Sequence, residues 1–318
     1  MPLLKTFFAS PFSLIAAILT MIIALPCAAL DLNQTHQGDI VAVTLSDLRP
    51  TQAVVGFDPI FYKLGLFAKD KEAWFDEVCA VNGQKGVSTF DEFSRADKPD
   101  SYTCKQPVGS KPQDMKTVVI GPDRHLYLID GHHSLNVFWE TPEGGPGFPV
   151  HVIVAGDYRN LESMSAFWQA LQLDKYTWLY DAEDNKISPE ALPESLGLKN
   201  FTNDPYRGLI YFDAEISWDK PKNPVPFIEF YWAKEVRREM PLQHYDLNTM
   251  AGYEQAILDS SDLILHLDTD DMGGSGQSAK TLGRYKKKDK KALKKLLQDD
   301  SKLGIALRYK QQWQRTSH

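Results

Sequence analysis

Thr117-Val118-Val119-Ile120-Gly121-Pro122-Asp123-Arg124-His125-Leu126-Tyr127-Leu128-Ile129-Asp130-Gly131-His132-His133 is the stretch whose reading decides the fold. Two short β-rich runs flank a Gly-Pro-Asp-Arg turn, the pattern of a β-hairpin. Asp130-Gly131 ends the second run. A helix is predicted from His132, with Leu135, Val137, Phe138 and Trp139 on its apolar side, stopping by Pro142 and the Gly144-Gly145-Pro146-Gly147 loop. A strand that passes through glycine into a helix start aims backbone N–H groups outward at the positive end of the helix dipole, a ready seat for phosphate or carboxylate. Gly131 permits close backbone approach or a positive φ. His132 and His133 add donors, metal ligation or proton transfer near neutral pH. Asp130 can orient an imidazole, hold a cation or cap the helix. A plain strand–helix turn, capped by Asp130 with both imidazoles in solvent, fits the same spacing, and the two readings stay open. Adjacent histidines do not share one helix face, so a joint metal site needs a further ligand from elsewhere.

Upstream, Asp39 to Leu45 alternates as a strand and leads into Leu48-Arg49-Pro50-Thr51-Gln52, a turn-rich link. Pro59 to Lys69 and Asp70 to Val81 carry helical apolar stripes. Downstream, Pro149 to Ala155 reads as a strand and Met164 to Leu173 as a helix. Asp204-Pro205-Tyr206-Arg207 opens a segment running to Phe212, and Phe227 to Met240 has helical spacing. The fold class is α/β in the mixed, α+β sense, with additional helices and a basic helical tail. Arg49 and Gln52 follow the first strand, on a turn expected beside the same cleft. There the Arg49 guanidinium either grips a phosphate with a bidentate contact or binds loop carbonyls. Arg207 has the same pair of readings. Asp204 reads as a turn or helix cap. Lys234, Arg237 and Arg238 read as solvated helix charges, and Phe227, Phe230, Tyr231 and Trp232 as core.

Hydrophobic residues at 43% and charged residues at 24% exclude a disordered chain and a multi-span membrane protein. Residues 1–29 read as a signal peptide: Lys5, a 14-residue apolar run from Phe12 to Leu25, then small residues at Cys27 and Ala29 ahead of a cut. That run is shorter than the roughly 20 residues a spanning helix needs. Export places the chain in the periplasm or outside the cell and leaves Cys79 and Cys104. The pair is expected to form a disulfide, which stabilises by about 3 kcal/mol in the chain-entropy picture. One main domain is expected over 30–268, a Gly/Ser-rich flexible linker over 269–285 and a basic helical tail over 286–318. From Lys280 onward 13 Lys and Arg face 3 Asp, so the net charge of −7 hides an acidic body of −17. An acidic body is not that of a general nucleic-acid binder. The tail lysines alone could seek phosphates or anionic lipid, although most lysine-rich helices are solvated faces. Asp268, Asp270 and Asp271 fail the spacing of a calcium loop.

The chain resembles the ParB-like nuclease family, a branch of the ParB/sulfiredoxin superfamily. The matching pieces are Leu48-Arg49-Pro50-Thr51-Gln52 with Val55-Gly56, then Tyr127-Leu128-Ile129-Asp130-Gly131-His132-His133. Phe167-Trp168, Asp204-Pro205-Tyr206-Arg207 and Trp232-Ala233 follow in order, so the likeness runs from about Ile40 to Glu239. The resemblance implies a compact α/β fold with a nucleotide or phosphoester site at the glycine turn. Sulfiredoxins carry a catalytic cysteine at that turn. Position 132 is His here, which removes that chemistry. Chromosome-partitioning ParB proteins carry Glu and Arg there for nucleotide triphosphate, and His132, His133 and Ser134 depart from that pattern. The reading is hydrolysis of a nucleic acid or nucleotide, with Gly131, Arg49, Gln52 and Arg207 on the phosphate. His132 or His133 serves as general acid or base. Asp130 orients a histidine or holds a divalent cation (Mg or Mn) that stabilises the phosphoryl charge. The alternatives are a nucleotide-dependent phosphotransferase and a non-catalytic protein that binds an anionic small molecule.

Overall fold

The computed structural model describes residues 30–316, and the segment read as a signal peptide lies outside them. In chain order the elements are β1 (Ile40–Thr44), β2 (Leu48–Pro50), β3 (Val54–Val55), α1 (Phe57–Phe67), α2 (Lys71–Val81), β4 (Val87–Thr89), β5 (Thr103–Cys104), β6 (Lys116–Ile120), β7 (Leu126–Leu128), α3 (His132–Glu140), β8 (Pro149–Asp157) and α4 (Met164–Leu173). Then come β9 (Thr202–Asn203), α5 (Pro205–Asp213), α6 (Ile228–Glu239), α7 (Met250–His266), α8 (Lys290–Leu296) and α9 (Lys302–Thr316).

The main sheet has five strands in the order β1-β8-β6-β7-β2. It is mixed: β8 runs antiparallel to β1 and parallel to β6, β6 and β7 form the expected hairpin, and β2 lies parallel to β7. Val118, Val119, Ile120, Leu128, Val152 and Val154 are buried in it, apolar residues and all but Leu128 β-branched. Leu135 and Phe138 of α3 are buried as well, and Val119 and Tyr127 of the hairpin pack with Phe167 and Leu171 of α4. A second core, built mainly from helices, gathers Trp218, Trp232, Tyr253 and Ile257.

Polar side chains fasten the helices. Asp70 caps α2 by accepting from the Ala73 N–H, and Asp204 caps α5 by accepting from Tyr206 and Arg207. Asp213 is fully buried and takes hydroxyl hydrogen bonds from Ser217, Ser260 and Ser261. Burial pushes its carboxyl up to about 6, against those three hydroxyls. The tail docks on α1: Phe61 packs on Tyr309 and Trp313 of α9, and the Lys310 ammonium lies 3.0 Å from the buried Asp58 carboxylate.

Two expectations change. The 269–285 stretch packs into the body. Met272 and Leu282 are fully buried, the Gly273 N–H donates to Glu235, and the Lys175 ammonium donates to the Ser275 carbonyl. Sparse apolar residues anchor a run whose glycines and serines read as loose. Lys234 and Arg237 are not solvated either. Lys234 is buried, pairs with Asp184 at 3.1 Å and sits 3.7 Å from the centre of the Tyr180 ring, while Arg237 pairs with buried Asp204 at 2.7 Å.

Cys79 on α2 and Cys104 on β5 form a disulfide with a Cα–Cα distance of 5.7 Å. It spans a segment with little regular structure, closed by the short β4–β5 ladder. Reduction, or Cys104→Ser, is expected to cost about 3 kcal/mol and to lower the thermal midpoint by several degrees. Equal melting of oxidised and reduced protein, followed by circular dichroism, would show that the loop contributes nothing.

Candidate functional site

Gly131 is the N-cap of α3 and has φ +102°, a left-handed conformation that glycine adopts without strain. A Cβ there would meet the Lys116 side chain at 2.6 Å. Having no side chain, Gly131 offers no cap hydrogen bond, and the first N–H groups of a helix have no acceptor within it. Asp130 precedes the cap, is exposed, and does not cap the helix.

The two histidines do something other than the sequence suggested. His132 is buried, and its Nε2 accepts the Thr51 N–H at 3.1 Å. His133 is half-buried, and its Nε2 accepts the Gly56 N–H at 3.0 Å. Accepting at Nε2 requires a free lone pair there, so each neutral ring carries its proton on Nδ1. Burial pushes the His132 imidazole down to about 3. Burial, helped by the Arg207 charge, also holds His133 well below its usual range. Neither ring faces solvent freely, and neither Nε2 is available to a substrate. They tie the head of α3 to the link between β2 and α1.

That link is itself fixed. Thr51 donates its hydroxyl to the Leu128 carbonyl, and its own carbonyl accepts from Trp178 N–H and the Thr177 hydroxyl. Gln52 is buried at the cleft wall, with its amide donating to the Val54 carbonyl. At Gly56 a Cβ would stand 2.9 Å from the Gly208 nitrogen, so this close approach of two glycines seats α5 against the start of α1. Arg207 then projects into the cleft.

The cleft has a volume of about 490 Å³. Its lining includes the charged residues Asp130, Lys116, Arg207, Lys220 and Glu229, with Gly131, His133, Tyr176 and the apolar residues Pro224, Val225, Pro226, Phe227, Ile228 and Phe230. Arg207 is 6% exposed, and its Nη2 lies 3.4 Å from Glu229. Its Nε and Nη1 are buried without a hydrogen-bond partner among the described residues. Buried donors are ordinarily satisfied, so two unpartnered guanidinium N–H groups stand out at this site. Lys220 approaches the same Glu229 oxygen at 2.6 Å. Burial alone would raise the Glu229 carboxyl, but Arg207 and Lys220 outweigh it and hold Glu229 well below the usual carboxylate range.

The predicted residues are therefore divided. Asp130, Gly131, His132, His133, Gln52 and Arg207 meet at one cleft. Arg49 does not: strand alternation turns it away from the side of buried Leu48 and Pro50, and its guanidinium lies 3.1 Å from His125 Nε2. Lys116, Lys220 and Glu229 are additional charged residues of the site. Glu229 carried one signal in sequence, a lone acid between Ile228 and Phe230 in an apolar helix start. Lys220, flanked by Asp219 and Pro221, carried none.

His132→Ala or His133→Ala should each leave a backbone N–H unpaired and cost about 1–3 kcal/mol. The pH dependence has a definite sign. A folded-state imidazole held near 3 contributes full stability above the unfolded value of about 6.5, and loses it as the pH falls below that. His132→Gln keeps an acceptor for Thr51 without titrating. Between pH 7 and 5, urea titrations should show that this variant loses about 2 kcal/mol less stability than the wild type. Parallel curves would contradict a buried neutral His132.

No curated protein matches the chain. Among solved structures, the crystal structure of protein Atu1540 from Agrobacterium tumefaciens shares the fold, with a TM-score of 0.50 and 20% sequence identity over 72% of this chain and 92% of that one. Residues 41–238 match the family described as Putative ParB-like nuclease, a span that holds the whole sheet except the first residue of β1, both histidines and Arg207. The chain belongs to that ParB-like nuclease family.

Proposed function

We propose that the cleft binds a phosphoester between the head of α3 and Arg207, and that the chain hydrolyses a nucleic acid or nucleotide there. The observation that carries this reading is the pair of unpartnered Arg207 N–H groups, Nε and Nη1, sharing a cleft with a helix start that has no side-chain cap. Both features are donors with no acceptor of their own, and a tetrahedral oxyanion supplies acceptors to both. Lys220 and Lys116 add positive charge. Family membership supports a nucleic acid as the substrate class.

In this mechanism water attacks phosphorus and the ester P–O bond breaks. The carboxylate of Asp130 takes the proton of the attacking water, and the departing oxygen is protonated from solvent. Asp130 has the role because Glu229 is neutralised by two cations, while Asp130 forms no ion pair among the described residues. His132 and His133 are positioning residues. No three His, Cys, Asp or Glu residues converge to hold a metal among the described residues. A divalent cation, Mg or Mn, would be held by Asp130 together with phosphate oxygens, and would supply stabilisation of charge on them.

The disulfide supports action in an oxidising compartment, the periplasm or the exterior. No described helix is long and apolar enough to cross a membrane.

Purified protein should release product from DNA, RNA or nucleotides, assayed with Mg²⁺ or Mn²⁺ and with chelator. Asp130→Asn should cut turnover by about 100-fold or more while inorganic phosphate still binds by calorimetry. Lys220→Ala, at an exposed position that spares the core, should weaken phosphate binding by about 10-fold. Transfer of phosphate to an added acceptor would assign a phosphotransferase instead. Tight binding without turnover would assign a binding protein.

A further inference from the structure

Beyond the family domain, Tyr285–Lys290 line a broad open groove. Lys286, Lys287 and Lys290 are exposed in it, Lys291, Lys294 and Lys295 are exposed on the α8 helix that follows, and none of the six forms an ion pair among the described residues. Lys288 is the exception, tied to Asp262 at 2.8 Å. The lysines follow a segment stitched to the chain that enters the cleft. Asp219 N–H donates to Gly283, Tyr285 N–H to Ser217, and Asp289 N–H to Ile216, with Trp218 bridging Arg284 antiparallel. Lys220 of the cleft is the next residue after Asp219. Chain geometry then holds the start of the lysine run within about 20 Å of Lys220.

A row of six exposed lysines without ion pairs on an otherwise acidic chain, beside an anion cleft, has an electrostatic direction. We propose that the ridge formed by Lys286, Lys287, Lys290, Lys291, Lys294 and Lys295 binds the phosphates that flank the one held in the cleft, and that the substrate is a polynucleotide rather than a mononucleotide. This rests on the phosphoester reading of the cleft. A reach of about 20 Å exceeds a single nucleotide and covers several nucleotides of a strand, at least 3.4 Å apart. An ammonium row without aromatic residues among its exposed members reads backbone charge and not base identity, so the preference is for length, not sequence.

The test is fluorescence anisotropy with labelled DNA of about three and about fifteen nucleotides, across salt concentrations, on wild type and on Lys286→Gln/Lys287→Gln/Lys290→Gln/Lys291→Gln. The long strand should bind the wild type at least 10-fold more tightly than the short one. The variant should lose most of that ratio and show a shallower slope of log affinity against log salt, by about 0.7 for each phosphate that is no longer neutralised. An unchanged ratio overturns the proposal. So does a variant defective only toward vesicles of phosphatidylglycerol, which would make the ridge a membrane-surface contact. The cleft is judged separately by inorganic phosphate. If phosphate fails to bind while the length ratio still falls in the variant, the ridge stands and the cleft reading is lost.

Discussion

Two imidazoles that accept amide protons from the link between β2 and α1 set the geometry of the whole cleft. His132 and His133 are consecutive, so their side chains leave α3 about 100° apart and reach different partners, Thr51 and Gly56. Together they fix both the position and the rotation of the helix head. Gly56 in turn lies against Gly208, and that contact seats α5 and places the neighbouring Arg207. A donor row from α3 and a guanidinium from α5 thus face one cavity through a continuous set of contacts. The requirement throughout is that the imidazoles stay neutral, because a protonated ring has no lone pair for an amide.

The charge distribution follows from that frame. Burying Arg207 without a counter-ion would be prohibitive, and Glu229 answers the cost at 3.4 Å. Lys220 reaches the same carboxylate oxygen, so two cations share one anion. The result is a surplus of positive charge at a guanidinium with two unpartnered, buried N–H groups. The apolar neighbours of Glu229 in the lining, Pro224, Val225, Pro226, Phe227, Ile228 and Phe230, lower the local dielectric, which strengthens each of these interactions.

Local patterns carried much of the architecture. The β6–β7 hairpin, the start of α3 at His132, the capping role of Asp204 and the pairing of Cys79 with Cys104 all follow from short-range chemistry: turn residues, β-branched runs, a cap before proline, and two cysteines. The convergence of Gly131 and Arg207 was legible only through resemblance, since 76 positions separate them. What escaped depends on long-range partners. Arg49 and Arg207 look equivalent in sequence, yet strand alternation turns one toward His125 and glycine packing brings the other into the cleft. Lys234 looks like a surface charge until Asp184 and the Tyr180 ring are in place. The 269–285 run looks loose because its anchors, Met272 and Leu282, are two residues among many small polar ones.

The histidine pair shows how a turn can keep its shape while its chemistry changes hands. A helix head with an uncapped glycine needs no particular side chain to bind an oxyanion, because the main chain supplies the donors. Positions 132 and 133 are then free to be used for holding the turn in place, provided another group moves the proton. A ring whose lone pair is committed to a buried amide gains a proton only by breaking that bond, and burial itself lowers the basicity of His132. Asp130 has neither constraint: it is exposed, stands beside the glycine, and lies on the cleft side of the turn. In the proposed mechanism, structural rigidity and proton transfer thus fall to neighbouring residues of one four-residue motif, the two histidines holding the turn on which the Asp130 carboxylate stands.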